Sequence, residues 1–149
     1  MQPVKKVESY IKGKASDLVV CSLAGKWVEI DTAIAFLLMS RAAFESGIVL
    51  RISSGFRSMA TQRRLWKERS DPEVRKLKGG AARPGYSNHQ SGLAIDIRTG
   101  LTRTSFMKGK RSPVYDWLEE NAGKYGFART VKNEPWHWER VYTPERIDV

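Results

Sequence analysis

The chain is poor in several residue types, and each shortage excludes a class of protein. It contains a single cysteine, Cys21, so no intramolecular disulfide can form. No base lies near Cys21 in the sequence to activate its thiol, and we predict that it is a buried apolar residue. The longest apolar run, residues 33–39, is too short to cross a bilayer. Residues 1–6 lead into no apolar segment, so we see no secretory signal peptide.

Internal repeats and low-complexity tracts are also absent, which argues against a repetitive or disordered protein. Hydrophobic residues make up 41% of the 149 residues, which is enough for one substantial core. We therefore predict a single domain over residues 1–149, with its core at about 17–142 and the polar residues 1–12 at its periphery. Residues 70–86 contain two prolines and three glycines, and we interpret them as a long loop or lid.

Positive charge is in excess, because 26 basic residues against 16 acidic residues give a net charge of +10. A basic surface favours an anionic partner, and nucleic acid, an anionic cell wall and an anionic membrane surface all fit. A purely solubilising role fits as well. Residues 98–111 are the best support for nucleic acid. However, no helix-turn-helix, zinc-finger or RNA-binding aromatic motif accompanies them, so we expect no nucleic-acid partner.

Helical and strand-like segments follow one another without a regular rhythm. The predicted strands are 18–20, 27–30, 48–53, 92–97, 127–131 and 136–141. Helices are predicted between an Asp31 cap and a Gly47 stop, over 60–68, and over 113–125. The first helix is expected to bury a stripe at helical spacing: Ile34, Leu37, Leu38, Arg41 and Phe44. This order favours an α+β fold with a small, mainly antiparallel sheet and flanking helices.

The chain has only two histidines, and both lie near a carboxylate in the sequence. His89 precedes Asp96 by seven residues, and His137 follows Glu134 by three. Two imidazoles and one carboxylate are a ligand set for catalytic zinc, with one position left open. Asp96 stands between Ile95 and Ile97, where an ionised carboxylate is costly unless it is paired or bound to a metal.

Other interpretations of these residues remain open at this point. Asp96 could be a turn residue or an ion-pair partner of Arg98, and a lone histidine is usually not a ligand. The sequence has no HExxH motif, so no helical zinc-protease signature supports a metal. If a metal is bound, Glu134 could take a proton from water and pass it to a leaving amine. Arg57 could then stabilise an oxyanion or hold a substrate carboxylate.

Two separated motifs resemble those of a known family. Residues 87–96 have the spacing S-x-H-x-x-G-x-A-x-D, and residues 134–137 have E-x-W-H. Upstream, residues 53–58 (SSGFRS) are followed by Gln62. Together they resemble the signature of VanY-like D-alanyl-D-alanine carboxypeptidases, within the zinc-peptidase group that includes lysostaphin-type enzymes and Hedgehog domains. The similarity runs from about Asp17 to Tyr142.

This resemblance implies a Hedgehog/D-Ala-D-Ala peptidase-like fold and an enzyme with one Zn²⁺ per chain that cuts peptidoglycan stem peptides. By position, the family's zinc ligands correspond to His89, Asp96 and His137. Its catalytic base corresponds to Glu134, and the arginine that stabilises the developing oxyanion corresponds to Arg57. Positions that line the substrate cleft correspond to Gln62, Tyr86, Ser87 and Trp136. Ser87 also has a simpler role as a turn hydroxyl.

Two branches of the family cut different bonds. One branch removes the terminal D-alanine from D-Ala-D-Ala ends, and the other, found in phage endolysins, cuts between L-Ala and D-Glu. Residues 85–92 and 134–137 look closer to the carboxypeptidase branch. The lack of a leader favours the endolysin branch, whose members can accumulate in the cytoplasm before release. A different class, a catalytically inactive cell-wall-binding module, would need a defect in the site, and we find none.

The expected partners follow from the resemblance and from the charge. They are peptidoglycan stem peptides and an anionic cell-wall surface, with no transmembrane segment, and we expect a monomer. The expected place of action is the bacterial cell wall or periplasm. The chain would reach it by release from the cytoplasm, or after removal of a leader.

Overall fold

The structure is a computed structural model that describes residues 3–141, and within this range the chain forms two antiparallel sheets and five helices. The first sheet contains β1 (Val4–Ile11), β2 (Lys14–Leu23) and β3 (Lys26–Glu29). The second contains β4 (Ile52–Ser54), β5 (Ala94–Ile97), β6 (Phe127–Ala128) and β7 (His137–Arg140). The helices are α1 (Ile30–Glu45), α2 (Met59–Glu68), α3 (Pro72–Lys78), α4 (Arg103–Met107) and α5 (Pro113–Asn121). The predicted α+β class with antiparallel pairing is confirmed.

The first sheet is a simple meander in the order β1-β2-β3. Its first strand, Val4–Ile11, lies at the edge of the sheet, within the residues predicted to be peripheral, and the sequence did not predict it as a strand. β1 pairs with β2 along its whole length, from Val4 opposite Cys21 to Ile11 opposite Lys14. The sequence of β1 shows no clear alternation of apolar and polar residues, since most of its side chains are exposed. The strand is held in place by its pairing with β2. Cys21 is fully buried, as predicted.

The second sheet has the order β4-β5-β7-β6, so β5 and β7 are its two central strands. Ile95 and Ile97 of β5 point into the core and are fully buried, and Trp138 of β7 packs there as well. Asp96 lies on the opposite face, as strand alternation predicted. The predicted strand at 48–53 is shorter than expected, because regular pairing begins only at Ile52.

Helix α1 ends where predicted, but it begins at Ile30 with Glu29 as its cap in place of the predicted Asp31. It also buries a different face. The predicted stripe leaves Phe44 71% exposed, and Ile34 and Leu37 are also exposed. The buried positions are instead Thr32, Ala33, Ala35, Phe36, Met39 and Ala43. Residues 33–39 are apolar all around the helix, so periodicity alone does not select a face. The small alanine side chains allow α1 to approach the core closely, which decides the orientation.

Residues 70–86 are not one structureless loop, which corrects the prediction for this segment. Asp71 caps α3 through its carboxylate, and Pro72 occupies the first turn. Residues 79–85 are irregular and are held by hydrogen bonds in the middle and at the end of the segment. Gln62 Nε2 donates to the Ala82 carbonyl at 2.7 Å, and the Gly85 amide donates to Gln90 Oε1 at 2.8 Å.

The C-terminal elements begin close to where they were predicted, but α5 ends at Asn121 and the strand predicted over 127–131 spans only Phe127–Ala128. Ser112 caps α5 and Pro113 begins it, and a 3-10 turn over 122–125 ends at Gly126. Residues 98–111 contain the short helix α4 in place of a plain connection. No helix within residues 3–141 is long and apolar enough to cross a membrane. The predicted surface tail from Thr143 lies outside the described residues, as does the predicted core boundary at Tyr142.

A mostly buried ion pair joins the two sheets through the start of α1. Glu29 caps α1 by accepting from the amides of Asp31 and Thr32, and Arg140 Nη2 donates to Glu29 Oε1 at 3.0 Å. The side chains of Arg140 and Glu29 are only 13% and 14% exposed. The Thr32 hydroxyl accepts from Arg140 Nε and lies 3.0 Å from the Gly92 carbonyl oxygen. This network therefore ties β3, α1 and β7 to the segment that precedes β5.

We predict that Glu29→Ala lowers the free energy of unfolding by about 2–4 kcal/mol. The change removes a helix cap, worth about 1 kcal/mol, and takes a carboxylate partner from the mostly buried Arg140, at about 1–3 kcal/mol. Urea unfolding measures the difference. The matched control is Glu45→Ala, which removes another α1 glutamate paired with an arginine, Arg41, at the surface. The control should cost less than about 0.5 kcal/mol, and equal losses for both variants would contradict the prediction.

Candidate active site

Strand register places Asp96 and His137 opposite each other at the centre of the second sheet. His89 approaches the same point from the segment before β5. That segment turns at Gly92, whose φ of +83° is in the left-handed region that glycine adopts without strain. The resulting distances from Asp96 Oδ1 are 3.2 Å to His89 Nε2 and 3.3 Å to His137 Nδ1. The side chains of His89, Asp96 and His137, which come from different parts of the sequence, thus converge on one point.

The orientation of His89 is set by a backbone carbonyl. Its Nδ1 lies 2.9 Å from the Gly55 oxygen, which can only accept, so Nδ1 carries the proton and Nε2 presents a lone pair. Gly55 is needed here because a Cβ would collide with the carbonyl oxygen of Trp27. The backbone amide of Arg57 also donates to the His89 carbonyl at 3.0 Å. The end of β4 therefore fixes both His89 and Arg57.

The Asp96 carboxyl is ionised in this setting. Burial alone would raise its pKa, but the close imidazoles of His137 and then of His89 hold the pKa of Asp96 well below its usual range. The outcome matches the expectation from sequence that a carboxylate between two isoleucines needs a compensating partner. The carboxylate therefore remains charged and available as a ligand at neutral pH.

The trio His89, Asp96 and His137 fits a metal ion. One candidate ligand atom from each residue lies within 4.8 Å of the others. Tetrahedral zinc with bonds of about 2.0–2.1 Å places its ligand atoms about 3.3 Å apart. The two distances to Asp96 Oδ1 match this spacing. His137 Nε2, on the far side of the ring, is buried and has no hydrogen-bond partner within residues 3–141. Its Nδ1 is the atom that faces the other two residues.

Glu134 and Arg57 flank this trio. Glu134 Oε1 lies 3.8 Å from His137 Nδ1, and its side chain is partly exposed to the cavity in front of the trio. Burial lowers the pKa of Arg57, and the nearby Asp96 carboxylate partly opposes this effect. The guanidinium nevertheless stays protonated at neutral pH. Arg57 Nη1 donates to Gln62 Oε1 at 3.1 Å, which holds the guanidinium at the cavity wall.

A cavity of about 490 Å³ opens in front of the trio. Tyr86, Ser87 and Trp136 line it, as the resemblance implied, together with Arg57 and Glu134. The Ser87 hydroxyl accepts from the His89 amide at 3.2 Å, so it also has the turn role considered above. Gln62 lies elsewhere than expected.

The Gln62 side chain is fully buried behind the wall and does not line the cavity. Its amide oxygen accepts from Arg57 and its amide nitrogen donates to the Ala82 carbonyl. Both polar atoms are therefore engaged within the protein.

Sequence reasoning missed several residues of the cavity wall. Leu65 and Arg69 of the α2 region line it, and so do Lys78 and residues 80–82. A signal for the first two was available, since positions 62, 65 and 69 share one face of a helix. No local pattern indicated residues 78–82, because their place depends on how the segment folds back across α2.

Comparison of sequences shows which known proteins the chain resembles. A sequence model of the VanY family, described as D-alanyl-D-alanine carboxypeptidase, matches residues 25–144. A D-alanyl-D-alanine carboxypeptidase of Enterococcus faecium is 35% identical over 103 residues, covering 62% of this chain and 30% of that relative. This chain spans 30% to 45% of the length of three curated relatives.

Solved structures show the same fold. A VanY D,D-pentapeptidase from a VanB-type vancomycin-resistance cassette, solved in complex with Zn(II), has a TM-score of 0.69 and 26% identity, covering 89% of this chain and 83% of that chain. The LD-carboxypeptidase LdcB, whose structure concerns peptidoglycan recognition, has a TM-score of 0.64 and 31% identity, covering 79% of this chain and 61% of that chain. The fold implied by the sequence resemblance is confirmed.

We predict that the chain binds one divalent transition-metal ion and that Asp96→Asn weakens this binding on the order of 100-fold or more. The substitution replaces the anionic ligand with a neutral amide, a larger change than loss of a supporting contact, which costs about 10–100-fold. Competition with a chelator, using Zn²⁺ as the probe, measures the affinity. Asp116→Asn, at an exposed position of α5, is the control and should bind as the unchanged protein does. Equal affinity in the two variants would contradict this prediction.

Proposed function

Because the chain belongs to the VanY family of D-alanyl-D-alanine carboxypeptidases, we propose that it is a zinc-dependent peptidase that removes the terminal D-alanine from peptidoglycan stem peptides. One observation carries this proposal. His89 Nε2 and His137 Nδ1 converge on Asp96 at the base of a cavity that also presents Glu134 and Arg57. All five residues lie within the segment that matches the family.

The metal in this proposal is zinc, held by His89, Asp96 and His137. The VanY structure solved with Zn(II) supports the choice, and so does a donor set of two imidazoles and one carboxylate. When bound, zinc supplies Lewis acidity, which polarises a carbonyl and lowers the pKa of water. The Asp96 carboxylate contributes one negative charge to the site, and the Gly55 carbonyl keeps His89 in the tautomer that can bind metal.

Glu134 is the general base in this proposal. Its carboxylate faces the cavity beside His137, close enough to take a proton from a water at the trio and return it to the departing amine. Arg57 is the electrophilic group. Its permanently charged guanidinium, held by Gln62, stabilises the negative charge that develops on the carbonyl oxygen of the scissile bond.

The remaining predicted residues position the substrate. Tyr86 and Trp136 present aromatic surface to the cavity, and Ser87 presents its hydroxyl and shapes the turn before His89. Gln62 acts indirectly by joining Arg57 to Ala82 across the cavity wall. A lid movement of residues 70–86 stays a prediction, and the segment that would move is 79–85.

A second candidate function is removal of a terminal D-alanine from an L,D-linked end. The similarity to the LD-carboxypeptidase LdcB, at 31% identity, favours it. The two activities use the same zinc chemistry and differ in the residue before the scissile bond. Cleavage between L-Ala and D-Glu, and with it the endolysin role, stays a prediction from the sequence. The complete set of site residues argues against an inactive binding module.

The proposed place of action is the bacterial cell wall. Stem peptides carry carboxylates and walls carry phosphates, so a net charge of +10 favours accumulation there.

We predict that the zinc-loaded protein releases a single terminal alanine from purified stem peptides and that Glu134→Gln lowers kcat by about 10²–10⁴-fold. Glutamine keeps the size of the side chain but cannot accept the proton. Mass spectrometry of the products measures the cleavage and identifies the bond. A pentapeptide that loses one alanine indicates D,D-carboxypeptidase activity, whereas a tetrapeptide that loses one indicates the L,D activity.

The control for that experiment is Glu120→Gln, at an exposed position of α5, which should cleave like the unchanged protein. Zinc content and thermal unfolding of Glu134→Gln should match those of the unchanged protein, because Glu134 is not among the proposed ligands. Release at L-Ala–D-Glu, or no cleavage despite bound zinc, would overturn the proposed function.

We also predict that binding to isolated cell walls weakens as salt rises, while hydrolysis of a short peptide without net charge changes little. Surface attraction is screened beyond about 10 Å at 0.1 M salt and beyond about 3 Å at 1 M. The catalytic groups act at shorter range inside a cavity. Sedimentation with walls and a peptide assay, run over the same salt series, measure the two effects. Equal salt sensitivity would count against a surface role for the charge.

A further inference from the structure

The cavity extends beyond the trio along α2 to a second arginine. Gln62, which contacts Arg57, and Arg69, just after the helix, are seven residues apart on one face. At 1.5 Å per residue this places Arg69 about 10 Å further along the helix axis. Arg69 and Leu65 both line the cavity. The wall therefore carries one guanidinium beside the trio and a second one on the Arg69 side, close enough for its charge to lower the pKa of Arg57 after the larger effect of burial.

The Arg69 guanidinium is held in place by the backbone. Its Nη1 donates to the carbonyl of Lys78 at 2.9 Å and to those of Gly79 and Gly80 at 3.3 Å. The side chain is 22% exposed. Its Nη2 makes no hydrogen bond to any residue from 3 to 141, and its Nε is buried without an acceptor there. A fixed guanidinium with an unused donor at a cavity wall is suited to an anion.

Neighbouring carboxylates do not neutralise this end of the cavity. Glu68 Oε1 lies 3.9 Å from Arg69 Nε, beyond hydrogen-bond distance, and 3.2 Å from Lys78 Nζ. One carboxylate is thus shared by two cations. The two acidic residues that line the cavity, Asp96 and Glu134, belong to the trio and its base. The cavity is therefore acidic at the reaction centre and basic at the Arg69 end.

We propose that Arg69 forms a subsite for a carboxylate of the peptide substrate, separate from the group that Arg57 stabilises. This inference rests on the proposed function, and it adds an acidic peptide as the substrate class. Because Arg57 lies beside the trio and Arg69 lies further along α2, the arrangement favours a carboxylate on an inner acidic residue of the peptide. The terminal carboxylate of the peptide is the other possible source of the same chemistry.

The experiment measures peptide binding to the zinc-loaded Glu134→Gln protein by calorimetry, so that no peptide is consumed. Three stem peptides are compared: the free acid, the same peptide with its inner acidic residue amidated, and the same peptide with its C-terminus amidated. Each is tested with Arg69 intact, with Arg69→Gln and with Lys67→Gln. Glutamine can still donate to the carbonyls of residues 78–80 but carries no charge. Lys67→Gln removes one exposed charge from the same turn of α2.

With Arg69 intact, the free acid should bind about ten- to hundredfold more tightly than the peptide amidated at its inner residue. Arg69→Gln should remove most of this preference, and Lys67→Gln should keep it. Arg69→Gln could instead abolish the tighter binding of the free acid relative to the peptide with an amidated C-terminus. In that case the subsite stands, and its ligand is the terminal carboxylate. If Arg69 only braces residues 78–80, Arg69→Gln should weaken the binding of all three peptides by the same factor.

Equal weakening of all three peptides by Arg69→Gln would overturn the subsite and leave the proposed function standing. The same holds if Arg69→Gln leaves the preference for the free acid intact. If the zinc-loaded protein binds none of the peptides, and the unchanged protein cleaves none, the proposed function fails and the subsite fails with it. Thermal unfolding of Arg69→Gln, compared with Lys67→Gln, reports any loss of the bracing contacts separately.

Discussion

The pairing of Asp96 with His137 across two central strands is the constraint on which the rest of the site depends. Antiparallel register fixes which side chains stand opposite each other, and a shift by one residue would turn Asp96 into the core. The burial of Ile95, Ile97 and Trp138 on the other face opposes such a shift. The same apolar packing that stabilises the sheet therefore also sets the distance between an imidazole and a carboxylate.

A buried carboxylate needs partners, and the fold supplies them from several elements. His89 reaches Asp96 only because Gly55 leaves room beside Trp27 and because the chain turns at Gly92. The pair of Glu29 and Arg140 then holds the start of α1 against this turn through Thr32. His137 and His89 thus offset the cost of burying the Asp96 carboxylate, and the contacts that join the two sheets hold the turn between His89 and β5.

Charge is divided along the cavity in a way that suits an acidic peptide. Asp96 and Glu134 lie at the base with the two histidines, whereas Arg57 lies beside them and Arg69 lies further along α2. In the proposed reaction, the two carboxylates serve a cation and a proton, and the two arginines serve negative charge on the substrate. The segment 79–85, which contains the wall residues 80–82, closes one side of the cavity.

The sequence by itself determined the α+β class, the C-terminal end of α1, the start of α5 and the identities of the metal-site candidates, because caps, glycine stops and the S-x-H-x-x-G-x-A-x-D spacing are local features. Strand alternation also placed Asp96 opposite the face of Ile95 and Ile97. Only the tertiary structure decided which face of α1 is buried, since residues 33–39 are apolar all around. It also decided that Val4–Ile11 pairs with β2, that Gln62 braces the wall and that Arg69 lines the cavity. These outcomes depend on contacts between segments far apart in the chain, which local patterns do not encode.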